Sequence, residues 1–239
     1  MDHTYVLTAR FDEPLAADHL PAFRAALAEA VGFEQEWFHN HNNDPGDQRQ
    51  LHYRYPCVQY KLQGHQPVLV AIGPLALKVR SLFEKLQWDL SLMGGQRSMQ
   101  VDRLCLQRFP LAVEPGQELP YHYRLIDWQA LNQQNYRSFQ QLQGLQASIE
   151  FLHPKLIAHI INFAKGISWN IETRLVVEIT EMFPSYSRNY KGFRPQLFNF
   201  AFRSNACLPD MIGLGKGASL GFGVLRKRRS RKALRRDSA

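Results

Sequence analysis

The chain has 239 residues, a formal net charge of +8 and 45% apolar against 21% charged residues, a balance that fits a globular protein and excludes a disordered or fibrous one. No apolar run approaches the roughly 18 residues of a membrane helix, and Met1-Asp-His-Thr leads into an alternating segment without a basic or apolar leader. Cys57, Cys105 and Cys207 lack pairing or metal-type spacing, so the expectation is a cytoplasmic protein without a membrane partner.

The first predicted element is a strand from Thr4 to Phe11, where apolar and polar residues alternate; Ala17 to Val31 then places Leu20, Phe23, Leu27 and Val31 at helical spacing. A polar loop rich in His, Asn and Asp follows. Arg54 to Leu62 and Val68 to Ile72 read as adjacent antiparallel strands, since Gln63 to Pro67 has hairpin size. Pro74 opens a helix over Leu75 to Leu86, and Met99 to Phe109 alternates as a further strand. This β-α-β-β-α-β order is the ferredoxin-like unit also used by RNA-recognition modules.

The second half echoes the first. Tyr121 to Asp127 reads as a strand, and Trp128 to Gly144 and Leu145 to Ala164 as helical stretches. Ile171 to Phe183 and Gln196 to Arg203 read as strands around the connection Ser185 to Pro195, and Leu220 to Leu225 as the closing strand. The fold class expected is therefore α+β: two tandem ferredoxin-like βαββαβ domains with antiparallel sheets, residues 1–114 and 115–225. They meet at Ala112 to Pro120, which supplies turn chemistry. Residues 226–239 form a basic tail expected to be disordered. Eight cations from Arg226 to Arg236 against Asp237 give it +7, leaving +1 on residues 1–225. Either it solubilises the chain or, through Arg226, Lys227, Arg228 and Arg229, it extends an anion-binding surface.

Gly213-Leu-Gly-Lys-Gly-Ala-Ser-Leu-Gly-Phe-Gly223 carries five glycines in eleven residues, which lets backbone amides approach an anion around Lys216. A P-loop is excluded because Lys216 precedes Gly217 rather than Ser or Thr and no helical pattern follows; a dinucleotide fingerprint fails for lack of a following helix. A phosphate cradle and a plain turn before the last strand both fit. Arg188, Lys191 and Arg194 lie in the Ser185 to Pro195 connection, which mixes rings with cations as RNA grooves do, although a solvated loop would look the same.

His39-Asn40-His41 falls in the polar loop after the first helix, and imidazole is the side chain best matched to proton transfer near neutral pH. A metal site would want a following acid, but Asp44 lies one residue beyond the H-x-H-x-D-H spacing and no second histidine follows it. Metal-free RNA cleavage needs less. A base takes the 2′-hydroxyl proton, an acid protonates the leaving 5′-oxygen, and cationic donors stabilise the charged transition state. Exposed loop histidines without a role are the plain alternative. His52 could substitute for either, while His153 and His159 fall in a helical pattern and read as packing or surface residues.

Three segments together resemble the CRISPR-associated endoribonucleases of the RAMP superfamily that cut repeat RNA into guide RNAs. Gly213 to Gly223 follows the glycine-rich signature that precedes the last strand there. Phe38-His-Asn-His41, with Tyr53-Arg-Tyr-Pro-Cys-Val-Gln-Tyr-Lys61 and Val70-Ala-Ile-Gly73, is similar to the N-terminal half of the b-type branch of the sixth-numbered family. The resemblance implies that His39 and His41 are the acid/base pair and Tyr53 a helper near the scissile phosphate. It implies that Gly213, Gly215, Lys216, Gly217 and Ser219 contact the RNA backbone. The arginine-rich tail is not part of the family pattern. The expected activity is metal-independent, cofactor-free cleavage of CRISPR precursor RNA within its repeats. The alternative is a catalytically silent RAMP subunit holding repeat RNA in an effector complex. CRISPR repeat RNA is the expected partner, with other effector subunits and a second copy of the chain as further partners.

Overall fold

The computed structural model describes residues 2–32, 38, 55–83, 87–190, 192 and 194–228. They fall into two compact units, the first made of the described residues among 3–109 with 219–221, the second of residue 2 and the described residues among 110–218 and 222–228.

In the first unit, β1 (Asp2–Phe11) is followed by α1 (Leu20–Val31), β2 (Val58–Gln63), β3 (Gln66–Ile72), α2 (Pro74–Leu82), β4 (Gln87–Leu92) and β5 (Gly95–Val113). The sheet order is β5-β1-β3-β2, all antiparallel where register is defined, for example Thr8 opposite Val70 and Tyr60 opposite Leu69. Pro21 and Pro74 stand in the first turns of their helices, where a missing N–H costs nothing. Strand alternation sends Leu7, Ala9, Phe11, Tyr60, Leu69 and Ala71 to the face covered by Phe23 and Leu27 of α1 and Ala76 and Val79 of α2. Phe11 meets Phe23 edge to face at 5.1 Å. The opposite face presents Gln59 and Lys61, both fully buried, and burial pushes the Lys61 ammonium down to about 7.

Two details differ from the sequence reading. The strand expected at Met99 to Phe109 is longer, and it pairs with β4, an element the sequence reading omitted although Gln87-Trp-Asp-Leu-Ser-Leu92 alternates exposed and buried. Met93 and Gly94, both at positive φ, form the two-residue turn that this hairpin twist favours. The helix expected to reach Leu86 ends at Leu82.

In the second unit, β6 (Tyr121–Trp128), α3 (Gln133–Gln140), α4 (Gly144–Gly166), β7 (Val177–Met182), β8 (Tyr186–Ser187), β9 (Gln196–Ser204), β10 (Ala206–Cys207) and β11 (Val224–Arg228) follow. The main sheet runs β11-β6-β9-β7, the same fourth-first-third-second order as in the first unit, so both sheets are ferredoxin-like. The core of this unit includes Tyr123, Leu125, Phe200, Phe202 and Leu225 from the sheet and Leu152, Leu156, Ile160 and Phe163 from α4. Between β9 and β11 stands the glycine-rich loop where the ferredoxin plan has its second helix. Asn132 caps α3 by accepting the Asn135 amide at 2.7 Å, which moves the helix start from the expected Trp128 to Gln133.

The closing strand also moves. It starts at Val224 rather than Leu220 and runs to Arg228, so the stretch expected to be a disordered tail begins inside the sheet: Arg226 and Arg228 pair with Arg124 and His122 of β6. The physical reason is ladder pairing along β6, which outweighs the charge density of the strand.

Candidate RNA-backbone site

Part of the glycine loop's backbone is already hydrogen-bonded, within the loop and to the end of β6. Leu214 donates to the Gly223 carbonyl at 2.8 Å, Gly223 to the Asp127 carbonyl at 2.9 Å, and Lys216 to the Gln129 carbonyl at 3.2 Å. Gly223 has φ +60, and a Cβ there would stand 1.9 Å from the Leu214 oxygen, so only glycine fits. The expectation that the amides around Lys216 stay free is therefore corrected in part. The Lys216 amide is consumed, while those of Gly215 and Gly217 on either side have no acceptor among the described residues. The Lys216 side chain is exposed between them.

Gly217 packs against Phe222 so closely that a Cβ would lie 2.6 Å from Phe222 Cδ2. The same buried ring receives the edge of Tyr190 at 5.0 Å and the Arg188 guanidinium, whose carbon is 4.9 Å from the centroid. Phe222 thus gathers the loop and the Ser185 to Pro195 connection onto one ring. Arg188 is turned further by Asp127, with nitrogen and carboxylate oxygen 3.6 Å apart. Asp127 in turn accepts the Tyr186 hydroxyl, and its amide donates to Asn199 Oδ1 at 2.9 Å. Burial first, then the Asp127 carboxylate, push the Tyr186 hydroxyl up to about 12, so it remains a donor. Asp127 itself has φ +54, at the bulge where β6 slips against β9.

Other expected contacts scatter. Ser219 accepts the Tyr60 amide through its carbonyl at 2.8 Å and groups with the first unit. Gly213 is buried in a bridge with Val224. Arg194 is exposed. Arg226 faces Asp210 and Arg228 faces Glu181, each at 3.6 Å, and the Lys227 amide donates to Asp210 at 2.8 Å. Arg226 and Arg228 are therefore ion-paired strand residues, not bare cations of a loose tail. His39, His41, Tyr53, Lys191 and Arg229 lie outside the described residues. Asp127, Tyr186 and Phe222 were missed by sequence reasoning. Their only signal was position: an acid at the end of a strand, and rings beside singled-out cations.

Both units are thus ferredoxin-like, and the second carries a glycine loop with an exposed lysine in place of its second helix. The family description of the Cas6b N-terminal domain matches residues 3–110 and that of the Cas6b C-terminal domain residues 116–228. The chain belongs to the Cas6b family. Among solved structures, one described as the crystal structure of Cas6b aligns with a TM-score of 0.76 at 21% identity, covering 95% of this chain and all of that one. Another, described as the CRISPR RNA processing endoribonuclease Cas6b, aligns with a TM-score of 0.64 at 19% identity over the same shares. An uncharacterized protein of Methanocaldococcus jannaschii, MJ0978, is 29% identical over 102 residues, 42% of this chain and 68% of that protein. No helix among the described residues is long and apolar enough to cross a membrane.

Proposed function

We propose that this chain is an endoribonuclease that cleaves CRISPR precursor RNA within its repeats, without a metal, by attack of a 2′-hydroxyl on the adjacent phosphate. The observation that supports this reading best is the convergence on Phe222: Arg188, Tyr190 and Gly217, next to the exposed Lys216, set cations, a ring and free backbone amides on one patch. Such a patch suits a ribose-phosphate backbone, whose oxygens accept from guanidinium, ammonium and N–H donors. A solved relative is described as a CRISPR RNA processing endoribonuclease, which gives the same direction. His39 and His41 supply the base and the acid in this proposal, Tyr53 assists at the scissile phosphate, and Arg188, Lys216, Gly215 and Gly217 hold the backbone. Each positioned proton-transfer group contributes typically about 10²–10⁴-fold.

The test is an incubation of the full chain with end-labelled repeat RNA in excess EDTA. Cleavage that ends in a 2′,3′-cyclic phosphate, is abolished by a 2′-deoxy substitution at the cut, and falls at least about 100-fold in His39→Ala or His41→Ala supports it. Activity lost with chelator would make the enzyme metal-dependent. Tight binding with no cleavage under any condition would leave a silent RNA-holding subunit.

A further inference from the structure

His159 lies on α4 and has no part in the site as built so far. Its Nδ1 stands 3.1 Å from Trp128 Nε1, with the two rings edge to face and centroids 5.5 Å apart. An indole nitrogen only donates, so Nδ1 is the bare nitrogen and the neutral ring carries its proton on Nε2. Nε2 has no hydrogen-bond partner among the described residues, and His159 is only partly buried. Burial first, then Lys216 from the glycine loop and Lys155 from its own helix, push the imidazole down to about 4. Across the neutral range His159 is therefore an uncharged N–H donor with a fixed tautomer.

The loop meets the same indole. Gly215 has φ +86, and a Cβ on it would lie 2.7 Å from Trp128 Nε1. The backbone that leads into Lys216 and the His159 ring thus press on one N–H. Trp128 is fully buried and cannot itself reach a ligand. What it does is fix which nitrogen of His159 is left to donate, beside a loop whose next side chain is an exposed ammonium.

We infer that His159 is a further RNA contact of the glycine loop, donating its Nε2–H to a non-bridging phosphodiester oxygen that Lys216 also holds. The inference rests on the proposed reading of the loop as an RNA-backbone site. A phosphodiester fits the donor set because it offers acceptor oxygens and no proton. The lysines attract the anion, and the neutral imidazole adds direction without adding charge. A cation gained at this point would release a counterion and steepen salt dependence; a neutral donor does not.

The experiment uses the full chain labelled with ¹⁵N-histidine and a repeat RNA made uncleavable by a 2′-deoxy substitution. In the free protein the His159 signals, assigned by their loss in His159→Gln, should report the Nε2–H form, and Nε2 should shift on RNA addition but not in Lys216→Ala. His159→Ala should raise Kd about 5- to 10-fold, the worth of one hydrogen bond, with an unchanged slope of log Kd against log salt. Lys216→Ala should lower that slope by about 0.7. His159→Gln, which keeps an N–H donor, should recover part of the loss. If wild type binds RNA while the His159 signals stay unmoved and His159→Ala binds equally well, the inference fails and the loop reading survives. If wild type does not bind the RNA, the loop reading fails with it. Should His159→Ala not fold, the wild-type spectra decide alone.

Discussion

Arg188 lies on the face of Phe222 while Asp127 holds its rim: guanidinium carbon to ring centroid is 4.9 Å, and nitrogen to carboxylate is 3.6 Å. The cation is thereby half-paired, oriented by stacking and still partly open to solvent. Arg188→Ala is expected to weaken repeat-RNA binding and lower the salt slope by about 0.7 for a single strand. Arg188→Lys should restore the slope better than the affinity, because an ammonium keeps the charge but loses the planar stack. Filter binding across a potassium chloride series measures both quantities.

Asp127 separates charge from backbone. Asp127→Asn removes the ion pair but keeps a side chain that tolerates φ +54, and the partly exposed pair itself is worth about 0–1 kcal/mol. Asp127→Val places a β-branched residue at positive φ and removes the Tyr186 acceptor, at a cost of about 1–3 kcal/mol from the backbone alone. Urea unfolding of the two variants should rank them in that order, and equal stabilities would mean that the bulge does not depend on residue 127.

Two glycines at almost the same φ should respond differently to a methyl group. Gly223 has φ +60 and Gly64 φ +65, but a Cβ at Gly223 meets Leu214 at 1.9 Å while one at Gly64 meets nothing within 4 Å. Gly64→Ala should cost about 1–2 kcal/mol, the strain alone. Gly223→Ala must also break the Leu214–Gly223 closure and should cost more or prevent folding. Thermal melts of both variants check this.

Lys61 should leave a mark on the pH dependence of stability. Its folded-state value lies near 7 against an ordinary 10.5, lowered by burial. Between those values the unfolded chain binds more protons than the folded one, so this group makes stability rise with pH from about 7 to about 10.5 and contributes no slope below 7. The slope from one proton is at most about 1.4 kcal/mol per pH unit. Lys61→Met should lose that rising component in urea titrations at pH 6, 8 and 9.5; an identical profile would mean that Lys61 titrates normally in the folded chain.

Local chemistry made much of this protein readable from its residues. Alternation marked β1 and β5, a hairpin-sized connection marked β2 and β3, helical spacing marked α1 and α4, and the glycine run stood out because so many glycines in one stretch serve a close approach. Those signals depend on neighbours within a few positions, which the chain states directly. The closing strand was ended too early because Arg226 to Arg228 look like the start of a charged tail until they are laid along β6, and ladder hydrogen bonds are long-range facts.

The sequence by itself therefore determined that two ferredoxin-like sheets form and that a glycine loop with Lys216 precedes the last strand. Only the tertiary structure decided which amides of that loop remain available, that Arg188 lies on Phe222 under the hand of Asp127, and that Trp128 fixes the tautomer of His159. Each of these couples residues far apart in the chain, or loop atoms whose hydrogen bonds compete with a ligand. Charge and glycine content show where an anion could dock; the packing of the rings and the consumption of amides decide which groups would meet it.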